Sequence, residues 1–569
     1  MSDADPGQER TDDESRPDDE FEDRTIDDGD EDQGDDDADR DDAAAAPIDL
    51  ATLAARATEA AVLFEAIAKD PTVLAQIDEP LRRRLMTAAG HVSRPDRYAR
   101  KALGKALIRE RKKARKASDR AVLDQTGIRE ARRQPVFRTP LPKPDFQALD
   151  APVRDQPEDG PDDGGWADAE ANRDAAEPRR VIDARMCYVC KAYFNDLHAF
   201  YDQMCAPCAA LNWQKREQTA DMRGRVALVT GARVKIGYQT AIKLLRAGAE
   251  VVVATRFPRD GARRFALEAD ASDWLDRLHI YGVDLRHTPS IEALCAHLVA
   301  TLPRLDGLIN NACQTVRRPS GWYDHVIDRE QEAATNPLER AILERNRMLL
   351  GEGGALEKAG ESAIHATGLW RSAVLSQVPL LAEDLERGSH LYPAGRLDQD
   401  LQQVDMRDFN TWRMKLAEVP TAELLEVHLV NAVAPFVLNA RLRPLLAAVP
   451  TRDSHVVNVS AMEGQFYRRW KTDKHPHTNM AKAALNMMTR TSASDYVQDG
   501  IHMNSVDTGW VTDEDPIHHA QRKQEVHNFH PPLDIVDGAA RIVDPIFYGL
   551  NSGDHIWGLF LKDYKPAPW

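Results

Sequence analysis

Apolar and polar positions change rhythm several times along the chain. From Pro47 to about Ile67 apolar and alanine positions recur at helical spacing, and helix-forming sequence continues to about Arg133. From Gln134 to Arg180 the pattern dissolves into Pro, Asp and Gly, as in QPEDGPDDGG, which predicts a flexible linker. Beyond Arg223 the segment RVALVTGARVKIGYQTAIKLLRAGAEVVVATR reads as a buried strand, a glycine-bearing turn, a helix and a second buried strand. Such a β-α-β unit presents a helix N-terminus and free backbone N–H groups to a pyrophosphate. Farther on, NPLERAILERNRMLL and SAVLSQVPLLAEDLERG carry helical spacing.

Length and charge refine this outline. At 569 residues the chain exceeds a single hydrophobic core, and two to four units are expected. No run of eighteen apolar residues occurs and the N-terminus opens on acid, so neither membrane insertion nor secretion is expected, and the cytoplasm is the expected location. Residues 1–42 hold 22 Asp/Glu against 4 Arg, a balance equal to the −18 of the whole chain. A segment so self-repelling and poor in apolar residues cannot offset its ordering entropy, so 1–46 reads as a disordered acidic tail. Between Arg82 and Arg133 stand 18 Lys/Arg against 5 Asp/Glu, Arg109, Arg111, Lys112, Lys113, Arg115 and Lys116 among them. Phosphates would suit that charge; so would solvent or the acidic tail. Without aromatic interleaving or a groove-reading motif, nucleic acid is not the expected partner.

Four of the six cysteines form two C-x2-C pairs, Cys187 with Cys190 and Cys205 with Cys208. Two such knuckles can offer four thiolates to one tetrahedral cation, which predicts a closed structural zinc site in a module at 181–215. An iron–sulfur cluster, a pair of redox motifs or four unrelated thiols are the alternatives. With four sulfurs at hand His198 is expected to pack rather than ligate. A closed site leaves no open position, so its expected role is structural or protein-partner binding.

Specific landmarks follow the β-α-β unit in order. The turn Thr230, Gly231, Ala232, Arg233, Val234, Lys235, Ile236, Gly237 resembles the T-G-x-x-x-G-x-G of the short-chain dehydrogenase/reductase family. Asp284 with Leu285 resembles that family's adenine-binding strand end, and Asn310-Asn311-Ala312 its N-N-A-G segment. Asn431 in LVNAVAPF, Ser460 in HVVNVSAMEG and Lys482 in MAKAALNMMTRTSASDY resemble its catalytic part, NSVDTGWVTDE stands where it has P-G-x-V, and WGLFLKDY resembles its last strand. The resemblance implies an α/β fold with a Rossmann-type doubly wound parallel sheet over 222–569, interrupted by a helical insertion at about 318–420. It also implies a nicotinamide cofactor held by Thr230, Gly231, Arg233, Lys235, Ile236, Gly237, Arg256, Asp284, Leu285, Asn311, Ala312 and Lys482. Family members often associate through the helices bearing Asn431 and Lys482, so a homo-oligomer is compatible.

Four features bear on function. The middle glycine of the phosphate turn is Lys235, whose ammonium can compensate for the lost close approach. The strand end offers Thr255 and Arg256 in place of a carboxylate, which favours NADP(H) over NAD(H). The insertion separates Asn311 from Asn431 by 120 positions, as a substrate cap or an assembly surface. Most consequential, Thr478 stands four residues before Lys482 where the family has its proton-transferring tyrosine, and an aliphatic hydroxyl is far too weak an acid to replace a phenol. Tyr467 or His477, both in the longer preceding loop, are the candidate substitutes. The expected function is NADP(H)-dependent oxidation or reduction of a small-molecule alcohol or carbonyl with an altered proton donor. Its rival is a catalytically weak dinucleotide-binding sensor or scaffold that engages a partner through the zinc module and basic helices.

Overall fold

The computed structural model describes residues 50–142, 179–350, 372–467 and 471–569. The expected acidic tail, most of the expected linker and the middle of the insertion lie outside them. Two compact units divide the chain, one ending at Asp119 and one running from Arg120 to Trp569. In the first, α1 (Leu50–Lys69), α2 (Glu79–Ser93) and most of α3 (Arg97–Leu123) follow one another. The Asp78 carboxylate accepts from Leu81 N and Pro80 occupies the first turn of α2, so that helix has a cap and a pre-set start. Apolar side chains such as Leu53, Leu81, Leu103 and Ile108 are exposed on these helices.

The larger unit begins within the segment expected to be helix and linker. Helix α4 (Gly127–Arg133) buries Ile128 and Arg129. The following residues are pinned rather than free: Phe137 N donates to Gln399 O, the Thr139 hydroxyl to Glu268, and Arg246 to Pro140 O. Strands β1 (Arg179–Met186) and β2 (Tyr193–Leu197) make an antiparallel hairpin, and α5 (Ala206–Glu217) follows it.

Next come β3 (Val226–Thr230), α6 (Lys235–Arg246), β4 (Glu250–Thr255), α7 (Pro258–Ala266), β5 (Leu278–Gly282), α8 (Thr288–Thr301) and β6 (Gly307–Asn310). The insertion supplies α9 (Asp324–Gln331), α10 (Pro337–Leu350) and the short α11 (Ser372–Leu375). Helix α12 (Thr421–His428) runs through a π-turn at Leu429–Val433 into α13 (Ala434–Ala447). Strand β7 (Ser454–Ser460), α14 (Pro476–Tyr496), β8 (Ile501–Asp507), α15 (Ile517–His527), α16 (Ile535–Ser552), β9 (Phe560–Lys562) and β10 (Lys565–Ala567) complete the unit.

The sheet has the order β10-β9-β8-β7-β6-β3-β4-β5, parallel throughout except for the β9–β10 pair. Continuous apolar runs such as VALVT and EVVVAT suit strands covered on both faces. One face is covered by α6 and α16 through Ile242, Leu245, Ile542 and Phe547, the other by α8 and α13 through Leu294, Leu298, Leu438 and Leu442. Strand order reverses between β3 and β6, the switch point at which doubly wound sheets bind ligands beyond their carboxyl ends. The stretch Thr421–Ala447 is long and apolar enough by length and composition to cross a membrane; here it is a core helix, with Leu438, Leu442 and Leu446 buried against the sheet.

One expected helix is corrected. SAVLSQVPLLAEDLERG is helical only at α11 and in a single 3-10 turn at Ala382–Leu385. Pro379 disfavours the helical conformation of the residue before it. Asp384 then accepts from Leu380 N and Leu381 N and pairs with Arg317, so backbone groups a helix would use are satisfied otherwise.

Candidate functional site

At the switch point, Gly231 turns with φ +68 and closes on Ala312, whose Cα lies 2.8 Å from where a Cβ would stand. A Cβ on Gly237 would meet Asn311 Nδ2 at 2.2 Å. Both glycines therefore serve the packing of the turn against the end of β6. Thr230 and Asn311 tie the two strand ends together: Asn311 Nδ2 donates to Thr230 O at 2.9 Å and Ala312 N to Thr230 Oγ1 at 3.0 Å.

Lys235 occupies the glycine position with φ +56, a left-handed conformation that a residue with a Cβ adopts at a cost of roughly 1–2 kcal/mol. Burial opposes its charge, but Glu514, Asp400 and Asp398 outweigh burial and hold the ammonium above its usual range. It makes no hydrogen bond or ion pair with any described residue. Arg233, also expected at the phosphate, is corrected: its guanidinium is buried against Asp260 at 2.6 Å and Gln402 at 2.6 Å, and so is consumed inside the fold. Ile236, the second residue of α6, packs on the apolar face against Gly538.

Arg256, at the end of β4, donates to the Tyr323 hydroxyl at 2.7 Å and stacks over that ring. Asp284 follows β5. Burial works to raise its carboxyl, while the clasp of Arg286 overrides burial and holds it below the usual carboxylate range. Leu285 beside it is buried in the core.

Beyond the strand ends lies a second group. Asn431 sits in the π-turn, its side chain accepting from Gln314 N at 2.8 Å and donating to Gln314 O at 3.1 Å. Ser460 ends β7, and Lys482 Nζ donates to the neighbouring Val459 O at 2.8 Å. Thr478 stands one helical turn before Lys482 on the same face of α14. Ser460 Oγ, Thr478 Oγ1, both ring nitrogens of His477 and both carboxylate oxygens of Glu423 are buried with no hydrogen-bond partner among the described residues. His477 Nε2 lies 3.7 Å from Glu423 Oε1, and both residues are essentially unexposed. Burial pushes the Glu423 carboxyl above its ordinary range. Arg317 Nε reaches Glu426 at 3.0 Å and stands 3.8 Å from Glu423, which ties this corner to Asp384 of the insertion.

The two candidate substitutes for the missing tyrosine separate clearly. Tyr467 is 90% exposed, whereas His477 is buried beside Glu423. Sequence reasoning missed Glu423, Arg317 and Glu426. A helix-period reading of TAELLEVH could have flagged two acids three apart on one face, but not that an arginine from 106 positions earlier would meet them.

The cysteine module is built from a turn and a helix start. Cys187 and Cys190 lie on the β1–β2 turn, where Lys191 takes φ +61, and Cys205 caps α5 with Cys208 in its first turn. Their four sulfurs lie within 4.8 Å of one another, and Cys190 Sγ is 3.5 Å from Cys205 Sγ. A tetrahedral Zn–S distance of about 2.3 Å implies sulfur separations near 3.8 Å, so the set fits one zinc ion. His198 is turned away from ligation: Nδ1 accepts from Phe200 N at 3.0 Å while the ring packs on Trp213. Unforeseen from sequence, the knuckle touches the segment after β8. Trp510 N donates to the Tyr188 hydroxyl at 3.0 Å, and a Cβ on Gly509 would meet that hydroxyl at 3.0 Å. Arg216 of α5 grips Asp534 and Asp537 at 2.6 and 2.9 Å.

A dinucleotide fits this donor set at both ends. Ser460 and Thr478 are buried hydroxyls without partners, Lys482 has protons to spare beyond its bond to Val459, and Lys235 is an unpaired cation on the phosphate turn. Known proteins resemble this chain in parts. A model described as short chain dehydrogenase matches residues 225–336, and one described as Enoyl-(Acyl carrier protein) reductase matches 396–533; the stretch between the two matches lies in the insertion. The uncharacterized protein R665 of Acanthamoeba polyphaga mimivirus is 30% identical over 392 residues, 67% of this chain and 74% of that protein. That share is longer than the stretch from Arg223 to the C-terminus, so the likeness extends beyond the dinucleotide-binding domain. Dehydrogenase/reductase SDR family member 13 of Homo sapiens is 39% identical over 93 residues, 16% of this chain and 24% of that protein. The chain thus spans about a quarter of that relative's length. The Pseudomonas aeruginosa RhlG/NADP active-site complex aligns at TM-score 0.37 and 17% identity, covering 60% of this chain and 95% of that one.

Proposed function

We propose that this chain is an NADP(H)-dependent oxidoreductase of the short-chain dehydrogenase/reductase family acting on a carbonyl or alcohol, with His477 in place of the family tyrosine; the two family-model matches support that reading. The observation that carries this reading is the set of buried, unpartnered polar atoms on Ser460, Thr478, His477 and Glu423, with Thr478 one helical turn before Lys482. Each such atom costs on the order of 1–3 kcal/mol when left unsatisfied, and a bound substrate and cofactor would satisfy them.

Thr230, Gly231, Lys235, Gly237, Asn311 and Ala312 would hold the diphosphate side, Asp284 and Leu285 the adenine, Arg256 the 2′-phosphate, and Lys482 the nicotinamide ribose. The nicotinamide, when bound, supplies or accepts a hydride. Ser460 donates its hydroxyl proton in a hydrogen bond to the substrate oxygen. In reduction, His477 passes a ring N–H proton to that oxygen as it becomes a hydroxyl, and the imidazole is left neutral. Glu423, 3.7 Å from Nε2, orients the ring and accepts its other hydrogen bond after a small closing movement. Asn431 holds Gln314 and the chain leaving β6 at the rim of the pocket. Thr478 shapes the pocket without exchanging a proton.

In the same reading the four cysteines hold a structural zinc ion that braces the segment after β8. The supporting test is calorimetric titration with NADPH and NADH followed by a carbonyl panel with NADPH. Tighter binding of NADPH, weakened in Arg256→Ala, and turnover of at least one carbonyl are expected. Equal affinities would overturn the cofactor preference, and tight binding without turnover of any carbonyl or alcohol would leave a cofactor-binding sensor.

A further inference from the structure

The amino end of the sheet, opposite the strand ends described above, carries a second donor cluster that the proposed reaction does not use. His455 stands at the start of β7, His502 at the start of β8, and His555 in the loop after α16; one ring nitrogen from each lies within 4.8 Å of the others. His455 Nε2 is 2.9 Å from His555 Nδ1. His502 Nδ1 is spent on Ser454 O at 3.2 Å, which fixes that ring and leaves Nε2 for the cluster. Ring centroids are 4.9–5.3 Å apart.

From these positions we propose that His455, His502 and His555 form a binding site for one divalent transition-metal ion of the zinc, cobalt or nickel class. The backbone makes room for it. Gly549 of α16 faces the cluster, and a Cβ there would strike His555 Nδ1 at 2.4 Å and His455 Cε1 at 3.2 Å. The donor chemistry agrees: three imidazoles suit borderline divalent ions and leave a fourth position for water. His455 is fully buried while the other two are half-exposed, so an ion has a way in from solvent. Asp453 adds negative charge nearby, itself clasped by Arg225.

Ser460 lies five residues along β7 from His455, about 16 Å at a strand rise of about 3.3 Å per residue. The ion is therefore remote from the hydride-transfer pocket, and it clamps β7, β8 and the loop from α16 together. This assignment is independent of the oxidoreductase reading.

The test uses the full chain with one equivalent of zinc already bound, titrated with cobalt(II). The expected result is one further equivalent of cobalt, with visible d–d absorption, no thiolate-to-metal charge-transfer band, and a raised melting temperature. His502→Gln and His555→Gln, chosen because both side chains reach solvent, should each weaken this binding at least tenfold, and Gly549→Ala should do the same by displacing His555. X-ray absorption of cobalt-loaded wild type needs no variant and should show a shell of nitrogen and oxygen alone. Absence of a second equivalent, sulfur in its shell, or unchanged affinity in all three variants would overturn the site.

Discussion

His477 and Glu423 face each other across 3.7 Å with none of their polar atoms hydrogen-bonded, and the chemistry proposed for this protein turns on that pair. Proton transfer by a positioned side chain is worth about 10²–10⁴-fold, so His477→Gln should lower kcat by that factor with little change in NADPH affinity. Glu423→Gln should cost less, about tenfold, and Thr478→Ala less still; steady-state kinetics on all three checks the order. At the phosphate turn the sign of the effect differs between stability and binding. Lys235→Gly removes a left-handed side chain and should stabilise the fold by about 1 kcal/mol in urea unfolding, yet weaken NADPH by removing the turn's unpaired cation. Asp400→Asn should tighten NADPH, because one of the carboxylates with which a diphosphate competes for Lys235 loses its charge. His475 adds a pH signature. Burial pushes its imidazole down to about 4, below the unfolded value of about 6.5, so the unfolded chain binds the proton first. Its stability contribution is complete above pH 6.5 and is lost as pH falls towards 4, by roughly 1.4 kcal/mol per pH unit. His475→Asn should flatten that part of the acid unfolding profile.

Among the elements, the cysteine module and the segment after β8 act as one piece. Tyr188 of the knuckle abuts Gly509 and Trp510, while Arg216 is buried on Asp534 and Asp537 at the start of α16. Removing one member of such a buried pair leaves charge uncompensated at a cost of about 3–5 kcal/mol. Arg216→Ala should therefore lower the melting temperature, and stripping zinc with a chelator should do so too while raising proteolysis near residues 510–530. Unchanged melting in both experiments would separate the module from the fold. The two knuckles themselves were legible from spacing alone. Their docking was not, since Tyr188 and Arg216 carry no local mark of partners more than 300 positions away. The insertion failed differently: its leucines keep helical spacing, but Pro379 and the competing hydrogen bonds of Asp384 prevail over periodicity.

Across the whole molecule, the parallel sheet was readable because strands covered on both faces are rich in continuous apolar residues, as β3 and β4 are. The phosphate turn and the positions of Ser460 and Lys482 came with it. What lay beyond reach was how side chains distant in sequence share charge: Arg233 is spent on Asp260, and Arg317, just before the insertion, stands beside Glu426 and Glu423. These ion pairs join Asp384 of the insertion, through Arg317, to Glu426 and Glu423. The most direct test of the proposed chemistry is the steady-state rate of NADPH-dependent reduction of a responsive carbonyl by wild type and His477→Gln. The variant is expected to be slowed about 10²-fold or more while NADPH affinity is retained. Equal rates in the two proteins would contradict the assignment of His477.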